Sequence, residues 1–286
     1  MITVDIFNAI ESGFTQGIIF YPLVLSLALS YRLLKFPDIS IEGTFALGGA
    51  AFGVILSNTN SYFVAIPAAM LFSAIAGSIT ALLHHYLRIN KFLAGIIVVT
   101  ALYSVIVRMI GGSNISLLKF NLSTYYLQIT YAIASIIISI VAYFFYRSKY
   151  GIKIRGASIN PELSKILGHK TGLLLVIGLA FNNALAAISG VYFSLDAGFS
   201  DLKIGQGALI VALAALAIGE RLIPKNKISI LFYIILSAGA GSIFYQILWA
   251  FALQLNIRAS DLKILSAFIV VILFVIKRRN ETGDEL

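Results

Sequence analysis

The chain has 286 residues, of which 59% are hydrophobic and 12% are charged. Soluble domains carry roughly twice that charged fraction, and a mean hydropathy of +0.95 excludes a sizeable aqueous domain. A net charge of +9 would suit nucleic acid, but the basic residues stand at the ends of apolar runs, which is a membrane-topology signal. We therefore expect a lipid bilayer, and no nucleic acid, around this chain. It has no cysteine, and so no disulfide and no thiolate metal site.

Long apolar runs predict membrane-spanning helices, each of which needs about 20 mostly apolar residues. Nine hydrophobic segments follow in chain order: 13–31, 41–57, 62–83, 92–111, 125–146, 172–195, 205–219, 228–251 and 262–276. The second, seventh and ninth are short and either cross the membrane or re-enter it, so the count lies between eight and ten. The sequence thus predicts an all-α polytopic membrane protein.

The basic residues predict its orientation. The connections that alternate onto one side of the membrane hold 16 of the 21 Lys and Arg residues. By the positive-inside rule that side is cytoplasmic, which places the N-terminus outside and the C-terminus inside. The first residues are acidic and have no small-residue cleavage site, so they make a poor signal peptide.

Between the fifth and sixth segments lies a basic connection, residues 147–170, in which the sequence predicts a two-turn helix. Asn160 is a good N-cap, Pro161 suits the first helical position, and Gly168 can adopt the left-handed conformation that ends a helix. One face of this helix is apolar: Leu163, Ile166 and Leu167. Two turns are not stable alone in water. The helix therefore either docks on a partner or lies at the membrane interface as an amphipathic linker.

Three stretches resemble one another, and each places an aspartate before a short apolar segment: Asp38, Asp201 and Asp261. The first two lie five segments apart and would face opposite sides of the membrane. That is the pattern of an inverted repeat, which in transporters often holds the substrate site at its short or broken helices. The alternative is that each aspartate simply caps the helix that follows.

Polar residues inside the segments are the candidates for function, because such groups are costly in a membrane. They are Gln16, Glu42, Asn182, Asn183, Gln206 and Gln246. The two asparagines lie deepest, and their amides suit either a polar solute or a neighbouring helix. No buried chain of Asp, Glu or His suggests a proton relay, and no phosphate loop, zinc motif or nucleophile motif is present. We expect a transport subunit without enzymatic activity of its own, which must take energy from a partner.

Residues 150–168 resemble the cytoplasmic loop of ABC importer permeases of the branched-chain amino acid and ribose type. The family loop reads Tyr-Gly, Arg-Ala, a small residue with Asn, an Ala-rich turn and Gly. Here Gly156 stands at the usual Ala, and Ser164 lies within the turn. Residues 178–190 and 198–207 resemble later parts of the same family. Residues 36–45 resemble a branch associated with amino acids, including aromatic ones such as tryptophan.

The resemblance implies one permease domain over residues 1–286, with an ATPase-coupling loop at 147–170. It implies a multi-pass protein of the bacterial inner membrane that works as a dimer. Its partners would be a pair of ATPase subunits, which bind ATP and Mg²⁺, and an extracytoplasmic solute-binding protein. This chain itself would bind no cofactor. A self-sufficient secondary carrier, a structural membrane component, and an ABC permease for a sugar or nucleoside are the alternatives.

Two sets of site residues follow. The residues expected to couple to the ATPase are Arg155, Gly156, Asn160, Pro161, Glu162, Leu163, Ile166, Leu167 and Gly168. The residues expected along the translocation path are Glu42, Gly43, Asn182, Asn183, Asp201 and Gln206. No catalytic and no metal-binding residue is expected.

Overall fold

The structure is a computed structural model. It describes residues 2–120, 124–201, 203–224 and 228–255, together with residues 261, 264, 267, 268 and 271. The described helices are α1 (Ile2–Arg32), α2 (Ser40–Thr59), α3 (Tyr62–His85), α4 (Lys91–Ile110), α5 (Thr124–Arg147), α6 (Lys149–Ile159), α7 (Pro161–Ile166), α8 (Thr171–Ala197), α9 (Ala208–Leu222) and α10 (Ile230–Gln254).

Seven of these helices are long and apolar enough to cross a membrane: α1, α2, α3, α4, α5, α8 and α10. They correspond to seven of the nine predicted segments, and they confirm an all-α polytopic membrane protein. The predicted segment 205–219 is α9, which has 15 residues and at about 22 Å is shorter than a bilayer's hydrocarbon core. The predicted segment 262–276 lies largely outside the described residues.

Helices α1, α2 and α8 form the centre of the bundle. Their most apolar windows are largely buried inside the protein, whereas those of α3, α4 and α5 are mostly exposed. Since all these helices are apolar, exposure distinguishes a helix that faces lipid from one that packs among its neighbours. The outer helices therefore supply the lipid-facing surface, and the centre holds the buried polar groups.

Helices α1, α3 and α5 end at one end of the bundle, and α4, α8 and α10 begin there. We call this end the basic end. At the opposite end, β1 (Asn114–Ser116) pairs antiparallel with β2 (Phe199–Asp201), with Ile115 opposite Ser200. This two-stranded ribbon follows α4 and α8 and covers the end of α2.

Helices α9 and α10 come unusually close together. A Cβ on Gly219 would collide with the Ser237 carbonyl oxygen, and one on Gly241 with the Ala215 carbonyl oxygen. Glycine at both positions lets the two backbones touch, as small residues do in membrane bundles.

Two helix boundaries differ from the sequence prediction. Helix α1 begins at Ile2, although residue 13 was expected, because its first turns carry polar residues that the hydropathy pattern excludes. Helix α6 was not expected, because basic residues mask its short apolar face. Ser148 Oγ caps it by accepting a hydrogen bond from Gly151 N at 3.2 Å, and it buries Ile154 and Ala157.

Candidate functional site

A buried polar cluster joins α2, α3 and α8 in the basic half of the bundle. Asn183 Nδ2 donates a hydrogen bond to Asp38 Oδ2 at 2.7 Å, and Thr44 Oγ1 donates to Asn183 Oδ1 at 2.7 Å. Asp38 Oδ1 accepts from Ser40 N at 2.9 Å and from Ser40 Oγ at 2.5 Å. Asp38 is 1% exposed and Asn183 is 0% exposed. The cluster thus holds a buried carboxyl group that accepts hydrogen bonds from Ser40 and Asn183.

Burial dominates the electrostatics of this carboxyl group. It raises the pKa of Asp38 above its ordinary value, because desolvation penalises the charged form. The hydrogen bonds from Ser40 and Asn183 act in the opposite direction and offset part of that effect. Proton binding at Asp38 is therefore coupled to the contact between α2 and α8.

The cluster lies well inside the bundle. Asn183 follows the first residue of α8, Thr171, by twelve positions, which is about 18 Å along the helix axis. A Cβ on Gly77 of α3 would lie only 2.5 Å from Asn183 Nδ2. The glycine therefore lets α3 pack against the asparagine, and Asn183 joins three helices.

The adjacent asparagine joins a different set of helices. Asn182 Nδ2 donates to Ser30 Oγ of α1 at 2.8 Å, and Tyr146 Oη of α5 donates to Asn182 Oδ1 at 2.8 Å. Asn182 is also fully buried. The structure thus places both asparagines, which were expected to meet the solute, in contacts between helices.

Glu42 and Gln206 lie where α9 begins. Glu42 Oε1, in the first turn of α2, accepts a hydrogen bond from Gly207 N at 2.9 Å. Its carboxylate faces the positive end of the α9 dipole, which is favourable, and Gly207 adopts the left-handed conformation at that helix start. Gln206 is exposed beside it. Since α9 is short and starts beside the first turn of α2, it begins part-way through the bundle.

The two remaining path candidates lie elsewhere. Gly43 faces α4, where a Cβ would lie 2.9 Å from Leu102 Cδ1, so the glycine permits close packing. Asp201 lies at the end of β2, and its Oδ1 accepts a hydrogen bond from Lys203 N at 3.0 Å. Asp38 and Asp201 therefore have different surroundings: the first binds another helix, and the second caps a local turn.

Two adjoining cavities lie at the end of the bundle opposite the basic end, and we call them together the vestibule. One has a volume of about 280 Å³ and is lined by Asn8, Glu11, Ser12, Thr15, Gln16, Gln128 and Asp196. The other, of about 330 Å³, is lined by Ser12, Gly13, Gln16, Gln246, Trp249, Ala250, Leu253 and Gln254. Gln16 Nε2 lies between the cavities and donates to Asp196 Oδ2 at 2.8 Å.

Sequence reasoning had singled out Gln16 and Gln246 but had missed Asp196. That aspartate falls just past the end of its predicted apolar segment, 172–195, where a carboxylate is unremarkable in a sequence. Only the packing of α8 against α1 shows that it faces a polar cavity.

Helix α7 has the caps that the sequence predicted. Asn160 Oδ1 accepts a hydrogen bond from Leu163 N at 2.9 Å, Pro161 occupies the first turn, and Gly168 has φ +75°. Its apolar residues point outward: Leu163 is 51%, Ile166 81% and Leu167 64% exposed. Glu162 is exposed as well, whereas Ser164 faces the bundle and is buried.

The two other predicted coupling residues lie on α6. Gly156 is exposed, and Arg155 is partly buried. Helix α6 packs against α7 and α8. The segment 147–170 is therefore two consecutive helices on the basic end, and the second presents an apolar face to the surroundings.

An ion pair closes the basic end of α9. The guanidinium of Arg32, the last residue of α1, binds the Glu220 carboxylate through two nitrogens. Both side chains are partly buried, and such bidentate pairs are geometrically specific. Among the residues that the structure describes, no group of three or more His, Cys, Asp or Glu side chains could hold a metal ion.

A bundle of membrane-spanning helices with a half-length helix, a vestibule at one end and an exposed short helix at the other has the arrangement expected of the membrane subunit of a transporter. Comparison with known families agrees: residues 9–277 match the family described as the permease component of branched-chain amino acid transport systems. The chain belongs to this family of ABC importer permeases.

Individual relatives carry different solutes. The chain is 32% identical to a tyrosine transport system permease protein of Clostridioides difficile, over 92% of this chain and 90% of that one. It is 24% identical to a fructose import permease protein of Bifidobacterium longum, over 84% and 69%. It is 22% identical to an autoinducer 2 import system permease protein of Salmonella paratyphi B, over 76% and 60%. No solved structure matches the chain at comparable significance.

Proposed function

We propose that this chain forms the translocation path of an ATP-driven importer for an amino acid with an aromatic side chain. The observation that carries the choice of solute is the vestibule, where carboxylates and a tryptophan line adjoining cavities. The similarity to a tyrosine transport permease supports the same choice.

The orientation follows from charge. The connections at the basic end are rich in Lys and Arg, and the positive-inside rule assigns that side of the membrane to the cytoplasm. The vestibule then opens on the outer side of the bacterial inner membrane. There it can receive a solute from an extracytoplasmic binding protein.

The vestibule suits an amino acid better than a sugar. Glu11 and Asp196 bring two carboxyl groups to one cavity, and an ammonium group is the part of an amino acid that such groups attract. Trp249 lines the adjoining cavity, where its ring offers an aromatic side chain a stacking surface. Fructose has no cationic group and could only donate hydroxyl hydrogen bonds to these carboxylates.

Helix α7 supplies the means of coupling. Its exposed apolar residues, Leu163, Ile166 and Leu167, suit a groove on an ATPase subunit. The helix packs on α6 and α8, and α8 carries Asn182 and Asn183. A displacement of α7 would thus pass to the two buried polar clusters that hold α8 against α1, α2, α3 and α5.

The path itself would run past the start of α9. Glu42 is partly buried and Gln206 is exposed in the single chain, although both lie part-way along the bundle, where polar groups are costly against lipid. A second copy of the permease would cover Glu42 and Gln206, and these two residues would then line the path. ATP and Mg²⁺ would bind only to the two ATPase subunits.

Uptake into proteoliposomes tests this proposal. The chain would be reconstituted with its ATPase and binding protein, and radiolabelled tyrosine, leucine or fructose would be supplied outside with ATP inside. We expect ATP-dependent accumulation of tyrosine above leucine, and none of fructose. Accumulation of fructose alone would contradict the choice of solute. If none of the three solutes were taken up in an ATP-dependent way, the assignment as an importer would be contradicted.

A further inference from the structure

A third cavity, also polar, lies at the basic end, between α7 and the ends of three long helices. Its volume is about 180 Å³. Its polar lining residues are His84, His85, Lys91, Ser158, Lys165 and Thr171. We call this cavity the basic crevice. It lies on the side of α7 that faces the bundle, away from the exposed apolar residues that we assign to the ATPase.

The crevice gathers two ammonium groups without a carboxylate to balance them. Lys91 comes from α4 and Lys165 from α7, and two histidines line the same cavity from the last turn of α3. No Asp or Glu lines the cavity. The salt bridge of the described residues joins Arg32 to Glu220, and neither of these lines the cavity. Helices α4 and α8 also begin here, and their dipoles add a smaller positive contribution.

Several hydrogen-bond donors in the crevice are not used by the protein. The Lys91 ammonium donates one hydrogen bond, to the Lys35 carbonyl oxygen at 2.9 Å, and has three N–H groups. In the described part of the chain, neither the Lys165 ammonium nor the Thr171 hydroxyl has a hydrogen-bond partner. These donors come from three helices and line one cavity.

The packing holds these groups in place. Lys91 Nζ lies 5.8 Å from the centre of the Phe36 ring, which is fully buried. The His85 ring lies directly on Gly172 of α8, where any Cβ would overlap it. His84 Nδ1 is 2.7 Å from the Ile89 carbonyl oxygen. The lining from α3 and α4 is therefore preformed, and Lys165 is the exposed member that can close on a ligand.

We propose that the basic crevice binds a phosphate group. Two ammonium groups and a free hydroxyl suit a tetrahedral anion with several acceptor oxygens. At about 180 Å³ the cavity is smaller than the roughly 300–1,000 Å³ of sites for drug-sized ligands, so a single phosphate group suits it better than a whole nucleotide. The group is either the headgroup of an anionic phospholipid, which abounds at the cytoplasmic surface, or a free phosphate ion.

A bound phosphate would join α7 to α3 and α4. Lys165 lies in the last turn of α7, whereas Lys91 belongs to α4 and the histidines belong to α3. The ligand would hold α7 against the bundle, and its loss would free the helix. Phosphate binding at this site does not depend on which solute the protein transports, because only residues of the crevice take part in it.

Ligand-dependent thermal unfolding of the full-length chain in detergent micelles tests the site. The probes are dioctanoyl phosphatidylglycerol, dioctanoyl phosphatidylcholine and inorganic phosphate, each titrated separately. A ligand that binds the folded state raises the unfolding midpoint with its concentration. We expect phosphatidylglycerol to raise it at lower concentration than phosphatidylcholine does. A matching effect of inorganic phosphate would show that the phosphate group suffices, and an effect of phosphatidylglycerol alone would show that the headgroup of a lipid is bound.

A pair of charge-matched variants locates the site. Lys91→Gln/Lys165→Gln removes two positive charges from the crevice, and Lys149→Gln/Lys153→Gln removes two exposed ones from α6. We expect the apparent Kd to rise by about tenfold or more in the crevice variant and to change by no more than about twofold in the other. Because Lys91 also packs on Phe36, the single exposed substitution Lys165→Gln serves if the double variant does not fold. Equal effects in both pairs, or no shift with any probe, would overturn the proposal.

Discussion

Asn183 Nδ2 lies 2.7 Å from Asp38 Oδ2, and this hydrogen bond joins the middle of α8 to the residue that leads into α2. Both side chains are buried, so neither can exchange its partner for bulk water. Removal of either partner would leave the other unsatisfied, which costs more than the net value of the bond. The pair thus holds together two central helices of the bundle.

The first prediction is an exchange of these two residues. Asn183→Ala should lower the free energy of unfolding by about 1–3 kcal/mol, because it leaves Asp38 without one donor and Thr44 with only its longer hydrogen bond, to the Ile41 carbonyl oxygen at 3.2 Å. Asp38→Asn/Asn183→Asp should restore part of that loss, since an amide and a carboxylate again face each other. Thermal unfolding in detergent measures both.

Asn58→Ala is the matched control for that exchange, because Asn58 is exposed on the same helix that Asp38 precedes. It should leave the midpoint nearly unchanged. If the exchanged double variant were less stable than both of its halves, Asp38→Asn alone and Asn183→Asp alone, the hydrogen bond would not account for the pairing of these residues.

The second prediction concerns pH. Burial raises the pKa of Asp38, so the folded state favours the protonated carboxyl more than the unfolded state does. Stability should therefore fall as the pH rises from the ordinary carboxyl pKa to the raised one, and then level off. Asp38→Asn cannot ionise and should lose this slope. Unfolding midpoints of both proteins across the acidic to neutral range measure it, and identical pH profiles would contradict a raised pKa.

The third prediction concerns the vestibule. Asp196→Asn keeps an oxygen that can accept the Gln16 hydrogen bond but removes the charge. We expect tyrosine uptake to fall about fivefold, as for loss of roughly 1 kcal/mol of attraction to the ammonium group, with the unfolding midpoint retained. Asp261→Asn is the control, since this exposed carboxylate lies outside both cavities. An unchanged uptake rate in Asp196→Asn would contradict a role of the Asp196 charge in attracting the solute.

Sequence periodicity and hydropathy predicted the long helices well, because a bilayer demands about 20 apolar residues whatever the packing. The caps of α7 were also predictable, since Asn160, Pro161 and Gly168 act through local backbone geometry. Helix α6 was missed because its buried face, Ile154 and Ala157 among them, is too short to stand out from the basic residues around it.

The partners of polar side chains were not predictable. Asn182 and Asn183 are adjacent in sequence, yet one binds α1 and α5 and the other binds α2 and Asp38, which lies just before that helix. A helix turns about 100° per residue, so neighbours face different helices, and which helices those are depends on the packing. The same holds for Asp196, whose role is visible only once α1 lies beside α8.

The most direct test of the central claim, that α7 transmits force from an ATPase, is uptake by Leu163→Ser/Ile166→Ser in proteoliposomes. Both side chains are largely exposed, so the unfolding midpoint should not change. Leu87→Ser is the control, because Leu87 is 65% exposed near the same end of the bundle. We predict that ATP-dependent solute uptake falls at least about tenfold in the α7 variant, as for loss of two apolar anchors, and stays normal in the control. Normal uptake by a correctly folded α7 variant would contradict the claim.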